Sequence, residues 1–183
     1  MTITEKAQQW VGITPSHNNV EREKVREEAK KNAKSKWFTM VLNHHSQIEA
    51  VFDKIKDAKT LNVRSAAQKE LMTLMTGHSI AEEAIVYPFM KLDTSATDAG
   101  HAYVEQSVAK MELVALDEID DKMSKKYEEK LEEIRAAVVH HMIEEERDFF
   151  PELQDKADSK ENRKISQHYQ MEFDRYMQIP AAA

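Results

Sequence analysis

The stretch His141-Met142-Ile143-Glu144-Glu145-Glu146-Arg147-Asp148-Phe149-Phe150-Pro151 decides how this chain is read, because its pattern occurs twice. The counterpart is His78-Ser79-Ile80-Ala81-Glu82-Glu83-Ala84-Ile85-Val86-Tyr87-Pro88, with ten positions between histidine and proline in both. In each, a glutamate follows the histidine by four residues, so imidazole and carboxylate share one face of an α-helix. Such a repeat suits a bundle assembled from two related helical pairs, and one that sends His and Glu inward points to a site.

Working outward, apolar period and punctuation predict five helical segments. The first begins after Thr14-Pro15-Ser16 and runs to about residue 56, with Trp37, Val41, Ile48, Phe52 and Ile55 in one stripe. The second, about 62–90, carries Leu71, Leu74, His78, Ile85 and Phe89. A polar loop at 91–98 precedes a third segment at about 100–121, whose inward positions include His101, Val104, Val108 and Met111. The fourth runs from the N-cap Ser124 to about 153, with Leu131, Ile134, Val138, His141 and Phe149 inward. The fifth, about 158–178, shows Ile165, Tyr169, Phe173 and Tyr176. Short connections between long amphipathic helices predict an all-α, up-down-up-down four-helix bundle. Residues 1–35 read as an N-terminal arm and helix start, and 36–179 as the bundle plus an additional C-terminal helix.

Composition agrees. With 3 Gly and 4 Pro in 183 residues, turn chemistry is scarce and long helices are favoured. The absence of cysteine excludes disulfides and thiolate metal sites. A net charge of -7 argues against nucleic acid as a partner, and the basic residues at 24–36 are interleaved with Glu27 and Glu28 as on a solvated helix face. No signal-peptide core or membrane-spanning run is present, so the expectation is a cytoplasmic protein with no membrane partner.

The spacing of His and Glu is by itself weak evidence. Seven of the eight histidines have Glu four residues later, where acidic content alone predicts about one or two, and surface pairing inflates such counts. Position within the apolar stripe discriminates. His141 continues Ile134 and Val138, His78 continues Leu71 and Leu74, and His101 opens the third helix. His140 with Glu144 lies on a solvent-like face, and His168 flanks its stripe. In the first helix both His44 and His45 fit apolar neighbours. The pairs His45/Glu49, His78/Glu82, His101/Glu105 and His141/Glu145 thus fall one to each of four consecutive helices. Burying several carboxylates without cations is costly, and a metal pair removes that cost. Imidazole with carboxylate suits iron.

At these residues the chain resembles the hemerythrin-like, or HHE cation-binding, family. The likeness lies in residues 43–52, 78–88, Gly100-His101 and 140–151. It implies ligation of two non-haem iron ions, joined by an oxo or hydroxo bridge, by His45, His78, His101 and His141. Glu82 and Glu145 would be shared between the irons. The chain departs from the oxygen-carrying members by having Glu105 where they have a second histidine, and Glu145 at i+4 where they have Asp at i+5. A more anionic site favours the ferric state, so redox or regulatory roles gain on reversible oxygen carriage. Whether Glu49 and Glu105 touch metal stays open, as does whether His44, Tyr87 and Tyr103 line the open position.

The expected function is a di-iron protein that binds O2, NO or iron as a carrier, sensor or store; the alternative is a di-iron enzyme acting on peroxide or oxygen. A small diatomic or peroxide ligand is the expected partner, with oligomeric state undetermined. Ferritin-like sites, which use Glu-x-x-His, find no such spacing here. A metal-free helical interaction domain is the remaining reading.

Overall fold

The computed structural model describes residues 19–178, and all regular structure among them is helical. In chain order the elements are α1 (Asn19–Asn32), α2 (Lys36–Asp57) and α3 (Leu61–Ala81). A π-turn (Glu82–Val86) joins α3 to α4 (Tyr87–Asp93), and α5 (Ala96–Asp117) follows. A second π-turn (Glu145–Phe149) joins α6 (Lys125–Glu144) to α7 (Phe150–Lys156), and α8 (Ser159–Met177) ends the described chain. None of these helices is long and apolar enough to cross a membrane.

Starts are set by side-chain caps. Ser35, Thr60, Ser95, Ser124 and Asp158 each accept a backbone N–H from the first turn they open, satisfying donors a helix leaves orphaned. The first predicted segment is therefore two helices, because Ser35 caps a fresh start. Gln154 closes the break: its Oε1 accepts the N–H of Lys34 at 3.0 Å and its Nε2 donates to Asn32 O at 2.8 Å. The start signal Thr14-Pro15-Ser16 lies outside the described residues. The loop expected at 91–98 shrinks to two residues, since α4 runs to Asp93 and Ser95 caps α5, which ends at Asp117 rather than near 121.

Two apolar clusters form. One gathers Ile48, Phe52, Leu71, Val108, Leu113, Leu131 and Ile134. The other gathers Trp37, Phe38, Val86, Met90, Phe150 and Ile165. Along each of the four long helical runs the polar positions fall between these clusters: His45, then His78 and Glu82, then Glu105, then His141 and Glu145. A polar layer is thus held between two dry ones.

The stripes depart from prediction after each π-turn. Ile85, Phe89 and Phe149 are only half-buried, whereas Val86, Tyr87, Met90 and Phe150 are buried. The cause is Pro88 and Pro151. A proline lacks an N–H and its ring crowds the carbonyl four residues back. In both copies the residue before it donates five residues back instead, Tyr87 N–H to Glu82 O and Phe150 N–H to Glu145 O. That extra residue per turn moves the inward face one position along. On α5, Met111 is exposed rather than inward, and Leu113 and Leu116 take the core positions.

Candidate metal centre

Both π-turns begin at a site glutamate, so one backbone device positions both. The structure brings His45, His78, Glu82 and Glu145 together, with one potential ligand atom from each lying within 4.8 Å of the others. All four are 3 % exposed or less. His78 Nε2 lies 3.2 Å from Glu82 Oε2, and His45 Nε2 lies 3.3 Å from Glu145 Oε2. The choice between His44 and His45 is resolved geometrically: His45 enters the cluster, while His44 stacks on Phe173 and pairs through Nδ1 with Tyr169 Oη at 2.8 Å.

A second group comprises His101, Glu105 and Glu144. His101 Nε2 is 3.0 Å from Glu105 Oε1 and 3.6 Å from Glu144 Oε2, and its side chain is 53 % exposed. His141 stands between the groups, with Nδ1 2.7 Å from Glu105 Oε2 and Nε2 3.3 Å from Glu145 Oε1. Six of the seven predicted residues are buried, and all seven belong to one connected cluster. Of the residues left open, Tyr87 reaches the centre: its hydroxyl donates to Glu145 Oε1 at 2.8 Å and lies 3.3 Å from His141 Nε2. Tyr103 donates to Glu83 O instead, and Glu49 pairs with Arg22.

The inner histidines present their Nδ1 atoms to fixed partners. Glu146 Oε1 takes His45 Nδ1 at 2.7 Å, Tyr169 Oη meets His78 Nδ1 at 3.2 Å, and Glu105 takes that of His141. Such partners fix ring orientation and leave Nε2 facing inward. Gln106 Nε2 donates to Glu82 Oε2 at 2.5 Å.

Burial dominates the electrostatics, and charge partners decide where it is overcome. Glu82 is pushed well above the usual carboxylate range by burial and then by Glu145. For Glu145 burial is outweighed by the charge and hydrogen bonds of His141 and His45, which hold it well below that range. Burial would lower His141 and His45, yet the facing carboxylates raise both, His141 strongly. His78 is lowered by burial and by His45. The facing carboxylates thus favour the protonated imidazoles of His45 and His141, and burial favours the neutral carboxyl of Glu82.

The donor set fits metal better than protons. Glu82 Oε1 is buried with no hydrogen-bond partner among the described residues, and His45 Nε2 and Glu145 Oε2, 3.3 Å apart, have no well-aligned hydrogen bond to anything else; a buried polar atom left so is costly. Imidazole and carboxylate ligands in one dry cluster suit iron or another first-row cation.

Three participants escaped the sequence. Glu144, assigned to a solvent-like face, is only 22 % exposed and aims its carboxylate at His101. Glu146 is buried beside Glu145 because the wide turn brings consecutive residues inward. Arg22 is 7 % exposed, where the segment around it was read as solvated. Pro151, which forces the wide turn, was the available signal for Glu146; nothing local marks Glu144 or Arg22.

No curated protein and no solved structure matches the chain significantly. The model of the hemerythrin HHE cation binding domain matches residues 38–153, more than half of the 183 and the span from the start of α2 into α7. With its His/Glu cluster set between the helices of that span, the chain belongs to the hemerythrin HHE cation-binding domain family.

Proposed function

We propose that the chain holds two non-haem iron ions and uses them to bind a small ligand of the O2 or NO class. His45, His78 and Glu82 would serve one ion, and His101, Glu105 and His141 the other, with Glu82 and Glu145 shared. The observation that carries this reading is the convergence of His45, His78, Glu82 and Glu145, all buried, with one potential ligand atom from each within 4.8 Å of the others and Glu82 Oε1 left without a hydrogen-bond partner among the described residues. In this reading residues 36–179 form the functional unit, with α2, α3, α5 and α6 running up, down, up and down as their short connections favour.

Bound iron would supply redox chemistry and an open coordination position. The protein's own part is to orient imidazoles, exclude water and limit what enters. Beside His78, Glu105 and His141 lies a cavity of about 20 Å³, lined also by Ser79 and Gln106 and by apolar residues such as Ile48, Met75 and Val138. That volume admits one water-sized molecule, which suits a diatomic ligand.

One observation favours the enzymatic alternative, action on peroxide. Tyr87 is fully buried, and its hydroxyl points at Glu145 and His141, a proton donor inside the centre. Burial and then Glu145 raise it well above the usual tyrosine range, so it stays protonated.

Iron analysis on protein expressed with added iron tests the reading. About two irons per chain, with a visible spectrum that changes on adding NO, is the expected result for an oxo-bridged non-haem pair. Near-zero iron after anaerobic reconstitution refutes it. Catalytic oxygen release from peroxide, lost in Tyr87→Phe with iron content retained, would move the assignment to the enzyme.

A further inference from the structure

The family match begins at residue 38, yet the centre is braced from before that point. Arg22 of α1 is buried and uses all three of its guanidinium nitrogens. Nη1 and Nη2 donate to the two carboxylate oxygens of Glu146 at 2.6 and 2.7 Å, and Nε donates to Glu49 Oε1 at 2.6 Å. Arg26 pairs with the other oxygen of Glu49. Glu146 Oε1 also accepts His45 Nδ1. A chain of contacts therefore runs from α1 through Arg22 and Glu146 to His45, whose Nε2 faces Glu145.

We infer that Arg22 is a positioning residue for the metal centre and that α1 is part of the site rather than an arm. The inference rests on the metal reading above. A planar guanidinium donates in a fixed fork, so it fixes both the place and the plane of the Glu146 carboxylate. That carboxylate in turn holds His45 with Nδ1 carrying the proton and Nε2 presenting its lone pair to the inner cluster. The helix bearing Arg22 is itself anchored: Val25 and Ala29 are buried, and Gln154 ties down Asn32. Lysine cannot replace the fork, because an ammonium on a flexible stem cannot hold Glu146 in plane while reaching Glu49.

Zinc serves as a diamagnetic probe, applied to the full chain. In the parent, the zinc-loaded protein should show a downfield, slowly exchanging His45 Nδ1–H in proton–nitrogen correlation spectra, assigned by its loss in His45→Gln. In Arg22→Gln that signal should broaden or vanish, and zinc affinity by chelator competition should fall about 10–100-fold, as loss of a supporting partner does. Arg22→Lys keeps charge and fold and should recover only part of the affinity. Lys24→Gln, which removes an exposed charge from the same helix, should change neither readout. If both Arg22 variants bind zinc like the parent with the His45 signal intact, Arg22 is merely structural and the inference falls while the metal reading stands. If the parent binds neither zinc nor iron, both fall.

Discussion

The two groups of the centre differ in their access to solvent. The inner group, His45, His78, Glu82 and Glu145, is no more than 3 % exposed, and Glu82 Oε1 lacks a hydrogen-bond partner among the described residues. The outer group, His101, Glu105 and Glu144, opens to water through a His101 side chain that is 53 % exposed. Water can stand in for a ligand at the outer group. At the inner one the facing carboxylates outweigh burial and raise His45 and His141, while burial and then Glu145 raise Glu82. The inner half is therefore shut off from water and the outer half open to it.

The largest effect should come from breaking the inner group. Glu145→Ala removes a carboxylate that faces His45 and His141, and metal affinity should fall by more than the roughly 10–100-fold that loss of a supporting partner costs. His101→Ala should release one metal and leave the other bound. Equal loss of both metals in the two variants, read by metal content after desalting, would erase the distinction between the halves.

The next effect is pH dependence in the metal-free protein. Burial works against the Glu146 carboxylate, but Arg22 and His45 outweigh it and hold it at about 2. Its stabilisation, on the order of 3 kcal/mol from that shift, is complete above the ordinary carboxylate value and lost as pH falls toward 2. The raised His45 and His141 have the opposite sign: their contribution is complete below 6.5 and lost as pH rises through their shifted values. Glu82, also raised, adds to the loss on the alkaline side. Thermal midpoints should thus peak between the carboxylate and imidazole ranges without metal. Zinc should shift the peak to higher pH, because bound Nε2 atoms must be unprotonated. An unshifted peak would mean that the inner protons and the metal do not compete.

Tyr169→Phe is expected to do less. It removes hydrogen bonds to His44 and His78 while leaving the buried ring in place, for a loss of about 1 kcal/mol in chemical denaturation and a modest drop in metal affinity. Glu144→Gln should be the mildest. It should slow metal uptake, measured by stopped flow, and leave final metal content unchanged. A fall in content would make Glu144 a ligand and sharpen the account of the outer group.

How far the site was legible depended on what each residue required. His78 and His141, with the glutamates one turn after them, could be picked out because their stripes follow a period the local backbone sets, whereas His45 was set apart from His44 by the family likeness and the His101 side chain stands 53 % exposed. Glu144 and Glu146 could not, since a uniform 100° per residue turns them away and only the wide turn before Pro151 brings the second one inward. Arg22 was out of reach for another reason. Its partners Glu49 and Glu146 lie 27 and 124 residues away, and no periodicity reports a contact across that separation.

The sequence by itself determined the long helical runs, the cap at Ser124 and the polar interruption of the four inward stripes that carry His, because backbone hydrogen bonding and apolar period are local. Tertiary structure decided that His45 and not His44 faces the centre, that Glu144 joins Glu105 beside His101, and that α1 and α8 supply Arg22 and Tyr169 to it. Those choices depend on how helices are rotated and stacked against one another, and that is settled by the packing of two apolar clusters around one polar layer.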